Sequence, residues 1–110
     1  MGLGKTFRKT VKSTKDLATT YQVCKKICED GKLKMKQDEV NADNFTIHAA
    51  EPMKWITTNW PNSILLKGEI FEGKVLVNLE AESKGTSITQ DKNISDFLNN
   101  VADSLETYVS

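Results

Sequence analysis

The sequence predicts an α+β two-layer sandwich, in which a mainly antiparallel sheet of about five strands is covered on one face by two helices. Three observations predict this fold. A self-consistent β-hairpin occupies the middle of the chain, shorter alternating segments precede it, and two segments with helical periodicity accompany the strands. The predicted order is β-α-β-β-β-β-α, in a single domain that spans residues 1–110.

The central hairpin covers residues 63–83 and turns at Glu72-Gly73. A two-residue turn suits glycine at position 73, because such turns require a positive φ. The turn also fixes the register, and this register brings the apolar residues of both strands to one face, whereas a slip of one residue would turn one set outward. The inward pairs are Ile70 with Val75, Gly68 with Val77, Leu66 with Leu79, and Ile64 with Ala81.

Three further segments alternate apolar and polar residues, as strands with one buried face do. They are residues 5–12, 32–37 and 45–50, and the last two are joined by a turn at residues 41–44. The first segment is rich in lysine and arginine, which protects an edge strand against pairing with other chains. The sequence leaves open whether this first strand lies beside the second strand or pairs with the fifth.

Two amphipathic helices are predicted from apolar residues at three- and four-residue spacing. The first is expected to begin with Ser13 as its N-cap and to end at Gly31. The second is expected from residue 91 to the end of the chain. Their apolar faces hold Leu17, Tyr21, Cys24, Ile27 and Cys28 in the first helix, and Ile94, Phe97, Leu98, Val101, Ala102, Leu105, Tyr108 and Val109 in the second.

The net charge is zero, but the charges are unevenly distributed along the chain. Residues 1–36 contain ten lysines and arginines against three acids, and residues 37–110 contain five lysines against twelve acids. Such asymmetry indicates either a basic face for an anionic partner or two parts that pack together and neutralise each other. Both interpretations are open at this point.

The hydropathy pattern argues against a membrane span and a secretory signal. The longest apolar runs have three residues, whereas a transmembrane helix needs roughly 18–20. The first residues lack the apolar core of a signal peptide. The sequence therefore predicts a cytoplasmic protein that is not transmembrane.

Catalytic, metal-binding and cofactor motifs are not found. Residues 2–6 resemble the end of a phosphate-binding loop, but they lack the glycine and the strand that must precede it. His48 is the only histidine, and nothing places it beside a nucleophile and an orienting acid. Cys24 and Cys28 share the apolar face of the first helix, where reduced cysteines behave as small core residues. We therefore expect no enzyme activity, no metal and no cofactor.

Residues 52–62 form a segment bounded by prolines that contains both tryptophans, Trp55 and Trp60, together with Lys54. Two interpretations apply. The segment either folds back and plugs one end of the sandwich, or forms an aromatic platform for a peptide, a lipid headgroup or a base.

The function predicted first is a small non-enzymatic binding or interaction module, acting through the open sheet face and the tryptophan loop. The alternative is a binder of lipid or of an anionic membrane surface, or of a small apolar ligand. Nucleic-acid binding ranks third, because a protein that binds nucleic acid through a sheet face needs aromatic side chains that stack on the bases and a net positive charge. Expected partners are thus a protein or a small apolar or lipid ligand. The candidate binding residues are Lys34, Lys36, His48, Lys54, Trp55, Trp60 and Lys67.

Overall fold

Seven elements follow the predicted order of strand, helix, four strands and helix. The computed structural model describes residues 6–51, 63–82 and 88–109, with the backbone only for residues 82 and 88–94. Lys54, Trp55 and Trp60 lie outside the described residues, so both interpretations of their segment stay predictions. The elements are β1 (Thr6–Ser13), α1 (Leu17–Asp30), β2 (Lys34–Val40), β3 (Asn44–Ala50), β4 (Ser63–Phe71), β5 (Lys74–Glu82) and α2 (Ile88–Val109).

The five strands form one antiparallel sheet in the order β1-β5-β4-β3-β2. The position of the first strand, which the sequence left open, is therefore beside β5. Both helices pack on the same side of the sheet, where they and the inward residues of the strands form one core. The predicted α+β fold with an open sheet face is confirmed.

The central hairpin has the predicted register, with Ile70 opposite Val75 and Leu66 opposite Leu79. Its two turn residues, Glu72 and Gly73, have φ values of 52° and 79°. Two successive residues with positive φ are characteristic of the type I′ turn, whose twist matches that of the flanking strands. The turn chemistry and the apolar pattern therefore select the same register.

The start of α1 differs from the prediction, because Asp16 rather than Ser13 is the N-cap. The Asp16 carboxylate accepts a hydrogen bond from the backbone N–H of Thr19 at 2.8 Å, and hydrogen bonds from Thr19 lower the pKa of this carboxyl. Ser13 is instead the last residue of β1 and is fully buried. Its hydroxyl lies 2.6 Å from that of Thr20, which in turn donates to the Asp16 carbonyl at 2.7 Å. Ser13 is therefore the donor to Thr20.

The core is continuous from β1 to β3 and includes both cysteines of the chain. Cys24 and Cys28 are fully buried, unpaired thiols on the inner face of α1. Burial raises the pKa of both thiols, that of Cys28 to about 11. The largest fully buried side chains of the core are Phe45, Ile47, Ile64, Leu66, Leu79 and Leu105.

A polar cluster joins α1 to the edge strand β2. The Tyr21 hydroxyl donates a hydrogen bond to Asp38, and the Lys25 ammonium lies 3.2 Å from the other carboxylate oxygen. The hydrogen bond from Tyr21 is the main cause that lowers the pKa of Asp38, and the same bond raises the pKa of Tyr21. The Tyr21 ring meets Phe45 edge-on, with 5.6 Å between centroids. The cluster thus connects helix, edge strand and core.

The C-terminal end of α2 is hydrogen-bonded to the connection between β1 and α1. The backbone N–H and the hydroxyl of Thr14 both donate to the carbonyl of Val109, at 2.9 and 2.8 Å. These bonds satisfy a carbonyl that a helix end leaves without an intrahelical partner. In the described ranges, neither helix combines the length and the apolarity that a membrane span requires.

Candidate functional site on the open face of the sheet

The open face is the side of the sheet that faces away from α1 and α2. Its side chains alternate along each strand with the core residues, and the strand registers align them in rows across the sheet. From β1 to β2, one row contains Arg8, Glu80, Leu65, His48 and Gln37, the next contains Thr10, Asn78, Lys67, Thr46 and Glu39, and a third contains Lys12, Leu76, Glu69 and Asn44.

A shallow depression of about 270 Å³ lies on the β1 side of this face. The Arg8 Nε atom lies 3.5 Å from a carboxylate oxygen of Glu80, and the Thr10 hydroxyl donates to the side-chain carbonyl of Asn78 at 2.9 Å. Lys67 is exposed beside them. Hydrogen-bond donors and acceptors therefore lie close together in this depression. The outward residues that line the depression are Arg8, Thr10, Leu65, Lys67, Asn78 and Glu80.

Apolar side chains are interspersed with these polar groups. Leu65 and Leu76 are half-buried on the open face, and Phe71, at the end of β4, is 54% exposed. In its row, Leu65 lies between Glu80 and His48. A mixture of isolated apolar residues and charges of both signs is typical of the rim of a protein–protein interface.

Three of the predicted site residues, Lys34, His48 and Lys67, belong to this face. His48 is half-buried, and Lys67 and Lys34 are exposed. His48 and Lys67 lie diagonally on the adjacent strands β3 and β4, because Leu65 is opposite His48 and Thr46 is opposite Lys67. Lys34 is one row away, opposite Ala50.

Lys36 does not take the place beside His48 that simple alternation predicts. The β2–β3 register shifts between Met35 and Gln37, so Gln37 is the residue opposite His48. A bulge of this kind places two residues of one strand against one of its partner. As a result Asp38 faces the helices, where it binds Tyr21.

Lys32, which the alternation also predicts on the outer face, precedes β2 and belongs to the turn after α1. It has a positive φ of 59°, and its N–H donates to the carbonyl of Glu29. The strand begins only at Lys34. Lys32 therefore contributes to the helix end rather than to the open face.

The part of the site that sequence reasoning missed comes from β1. Arg8, Thr10 and Lys12 stand in the same rows as Glu80, Asn78 and Leu76. The alternation in the first strand does place Arg8 and Thr10 on one side, but the neighbouring strand could not be identified. Without that neighbour, the Arg8–Glu80 pair and the depression could not be predicted.

On the two adjacent strands, an apolar side chain and an amide side chain lie directly opposite His48. In its row it stands between Leu65 and Gln37, neither of which can serve as a nucleophile or an orienting acid. In the part of the chain that the structure describes, no three His, Cys, Asp or Glu side chains are placed to hold a metal ion. The described side chains of this face provide hydrogen-bond donors and acceptors, charges of both signs and apolar contacts.

The fold is similar to that of several solved structures, two of which are described here. One is the vertebrate conserved region (VCR) of human METTL16, with a TM-score of 0.55 and 13% identity over 93% of this chain and 98% of that chain. The other is Ara h 8.0201, with a TM-score of 0.53 and 11% identity over 96% of this chain and 97% of that chain. At such identities the likeness shows the fold alone. No protein-family model and no curated protein matches this sequence.

Proposed function

We propose that the protein is a small non-enzymatic binding module whose open sheet face docks against a protein surface. The observation that carries this proposal is the composition of that face. No described element covers it, and it presents Leu65 and Leu76 among alternating charges rather than a uniformly solvated surface. A surface that mixes apolar side chains with charges of both signs resembles the rim of a protein–protein interface.

The dimensions of the face suit a protein partner. Five strands about 4.8 Å apart span roughly 24 Å, and strands of 7–9 residues at about 3.3 Å per residue are of similar length. The face therefore covers on the order of 600 Å². This flat projected area is of the same order as the roughly 800 Å² of accessible surface that each partner buries in a standard interface.

The charges of the face also favour a protein partner over a polyanion. Its described side chains include five basic ones, Arg8, Lys12, Lys34, Lys67 and Lys74, interspersed with three acids, Glu39, Glu69 and Glu80. Nucleic acids and anionic membranes select surfaces of net positive charge. A pattern in which acids are interspersed among the bases instead fits a surface that itself carries both signs.

The basic first part of the chain is partly neutralised within the fold. Arg8 pairs with Glu80, and Lys25 pairs with Asp38. Each pair joins residues 1–36 to the acidic remainder, as expected if the two parts neutralise each other. The alternative of a lipid or membrane binder depends on the N-terminal basic cluster and on Trp55 and Trp60, and both tryptophans lie outside the described residues.

The proposal is tested by site-specific photo-crosslinking in cells of the source organism. A photoreactive amino acid replaces Lys67 or Asn78 on the open face, and in matched controls replaces Gln22 or Asp103, which are exposed on the two helices. We expect adducts of discrete mass from the sheet positions only. Crosslinking of the purified protein alone then shows whether the partner is a second copy of this chain.

The specificity of the adducts is checked with Leu65→Glu in the same chain. This change places a charge at the centre of the face without entering the core, so it should remove the adducts while the protein stays folded. Equal adducts from sheet and helix positions, or adducts that persist in Leu65→Glu, would contradict the proposal. Crosslinks to nucleic acid or lipid instead of protein would favour the alternatives.

A further inference from the structure

The first strand, β1, provides a second contact surface, which is the backbone edge of the sheet rather than its open face. β1 is terminal in the strand order and pairs with β5 alone. Its eight residues follow one register, from Thr6 opposite Glu82 to Ser13 opposite Val75, without a bulge. Among the described residues, no strand pairs with its other side, and no further backbone hydrogen bond involves residues 6–13. β1 is therefore a regular, open edge.

An open edge of this kind can accept an additional strand. Successive residues of an antiparallel strand direct their backbone N–H and C=O groups to alternate sides, so about half of these groups in β1 point away from β5. An extended peptide that forms hydrogen bonds with them becomes the sixth strand of the sheet. Its side chains then lie about 5 Å from those of β1 on each face. The side chains of β1 therefore determine which peptides fit.

The charged side chains of β1 are all basic and exposed. Arg8 and Lys12 lie four residues apart on the side of the open face, with Thr10 between them, and Lys9 lies on the opposite side. In an antiparallel pair of two copies of β1 centred on Thr10, Arg8 would lie opposite Lys12, and like charges directly opposite are destabilising. The same side chains attract a strand that carries carboxylates. The edge therefore disfavours a second copy and favours an acidic partner.

The positive charge of this edge is only partly neutralised within the fold. Arg8 pairs with Glu80, although 74% of its side chain is exposed. The Lys9 ammonium donates at 3.1 Å to the side-chain oxygen of Asn99, which carries no charge. No carboxylate among the described residues lies within ion-pair distance of Lys12. The edge therefore keeps a net positive charge.

The opposite edge strand, β2, is less suited to an additional strand. Its register shifts between Met35 and Gln37, and a bulge interrupts the regular spacing of the backbone groups that a new strand would bind. It also combines bases and acids, so it offers no charge of one sign. Its charged residues are Lys34, Lys36, Asp38 and Glu39. The comparison favours β1 as the edge that accepts a partner.

We propose that the open edge of β1 binds an extended, acidic segment of a partner protein, which adds to the sheet as a sixth strand. Backbone hydrogen bonds hold the segment along β1. Two of its carboxylates, four positions apart, lie opposite Arg8 and Lys12, with a small polar residue opposite Thr10. The contact uses the edge of the sheet rather than its open face, so it goes beyond the proposed function.

The experiment is a titration of the ¹⁵N-labelled full chain with the capped peptide Glu-Val-Thr-Val-Glu-Val-Thr, whose glutamates have the spacing of Arg8 and Lys12. Amide chemical shifts and amide hydrogen exchange are measured. We expect shifts centred on residues 6–13, and slower exchange of the β1 amides that face the edge. Replacing both glutamates by glutamine should weaken binding about fivefold, because exposed ion pairs contribute modestly. Replacing them by lysine should weaken it further.

Hydrogen bonding by the peptide backbone is tested by N-methylation of alternate amides. One peptide is methylated at its odd positions and another at its even positions, so that only one of the two loses the N–H groups that face β1. We expect one methylated peptide to lose binding and the other to retain it. Equal binding by the two would show that the peptide does not bind as a strand, and this would overturn the proposal.

Lys12→Glu reverses a charge at an exposed position, so the protein should stay folded. It should reduce the affinity for the glutamate peptide and raise the affinity for the lysine peptide. Lys26→Glu is the matched control, because it makes the same change at an exposed position of α1 and should leave both titrations nearly unchanged. Equal effects of the two variants would overturn the proposal, as would shifts centred on β2 or scattered over the surface.

A second copy of the chain is tested as the occupant in the absence of peptide. Shifts of residues 6–13 that grow with protein concentration would show that the edge pairs with itself, and this would overturn the proposal. Loss of peptide binding would leave the photo-crosslinks from the open sheet face intact, so the two proposals fail independently.

Discussion

The ring of Phe45 occupies the space that a side chain on Gly68 would need. The two residues are directly opposite in the β3–β4 register, and a Cβ atom on Gly68 would lie well inside van der Waals contact of the ring carbons. Phe45 is almost fully buried and also meets Tyr21 edge-on. Glycine at position 68 therefore allows the ring to lie flat against the sheet under α1.

Gly68→Ala should destabilise the protein, even though alanine is the better strand residue. The added methyl group forces the Phe45 ring or the backbone to move, and such overpacking typically costs about 1–3 kcal/mol of unfolding free energy. Urea denaturation of wild type and variant measures the difference.

The cause is checked by combining Gly68→Ala with Phe45→Leu, which makes room for the methyl group. The two changes together should cost less than the sum of the separate effects. Gly73→Ala serves as contrast: its Cβ would meet nothing within 4 Å, but φ is 79°, so backbone strain of about 1–2 kcal/mol remains. Phe45→Leu should not relieve that strain. If the effects of Gly68→Ala and Phe45→Leu on the unfolding free energy simply added, the steric explanation would be contradicted.

The Tyr21–Asp38 pair should make the unfolding free energy depend on pH in two ranges, one acidic and one alkaline. The pKa of Asp38 is lowered in the folded protein, so its contribution is present above the unfolded value near pH 4 and is lost as the pH falls below it. The pKa of Tyr21 is raised, so its contribution is present below about pH 10 and is lost at higher pH. Urea denaturation at pH 3, 5, 7 and 10.5 measures both.

Asp38→Asn should remove the pH dependence of the unfolding free energy in the acidic range. The amide oxygen still accepts the hydrogen bond from Tyr21, but the amide does not titrate. The difference in unfolding free energy between wild type and variant, about 1 kcal/mol at pH 7, should narrow between pH 5 and pH 3. Asp103→Asn removes one exposed negative charge elsewhere and controls for net charge. If the difference in unfolding free energy stayed constant from pH 7 to pH 3, Asp38 would not act through its charge.

Thr20→Val should destabilise the protein although it replaces a buried polar residue by an apolar one of the same shape. Thr20 is fully buried, and its hydroxyl accepts from Ser13 and donates to the Asp16 carbonyl. Without it, the buried Ser13 hydroxyl loses its acceptor, which costs about 1–3 kcal/mol. Thermal or urea unfolding measures the effect. Thr107→Val, at an exposed position of α2 where the hydroxyl also donates to the carbonyl four residues earlier, should be nearly neutral, and equal effects at both sites would exclude the hydroxyl pair as the cause.

The Ser13–Thr20 pair also shows why the start of α1 was predicted at the wrong residue. Ser13 and Asp16 are both good N-cap residues, and local sequence favours neither decisively. Tertiary structure decides, because β1 continues through Ser13 to pair with Val75 and buries its hydroxyl. By contrast, the β4–β5 register was predictable, since a two-residue turn and the apolar pattern each determine it independently.

The open face was predictable only in part, for similar reasons. Strict alternation correctly places His48 and Lys67 outward, but the bulge before Gln37 has no signature in a run of alternating lysines. The contribution of β1 depends on which strand it joins, and this follows from the packing of the whole sheet. The position of Asp38 beside Tyr21 is a consequence of the same bulge.

The neighbouring residues Leu65 and Leu66 provide the last prediction, because identical side chains next to each other in β4 face opposite sides of the sheet. Leu66 is fully buried, whereas Leu65 is half-buried on the open face. Leu66→Ala should cost about 2–5 kcal/mol of unfolding free energy, since it leaves a cavity in the core. Leu65→Ala should cost less than about 1 kcal/mol of unfolding free energy. It should nevertheless weaken photo-crosslinking from the photoreactive residue that replaces Lys67. If Leu65→Ala destabilised the fold as strongly as Leu66→Ala, Leu65 would be a packing residue, and the open face would lose its main apolar contact for a partner.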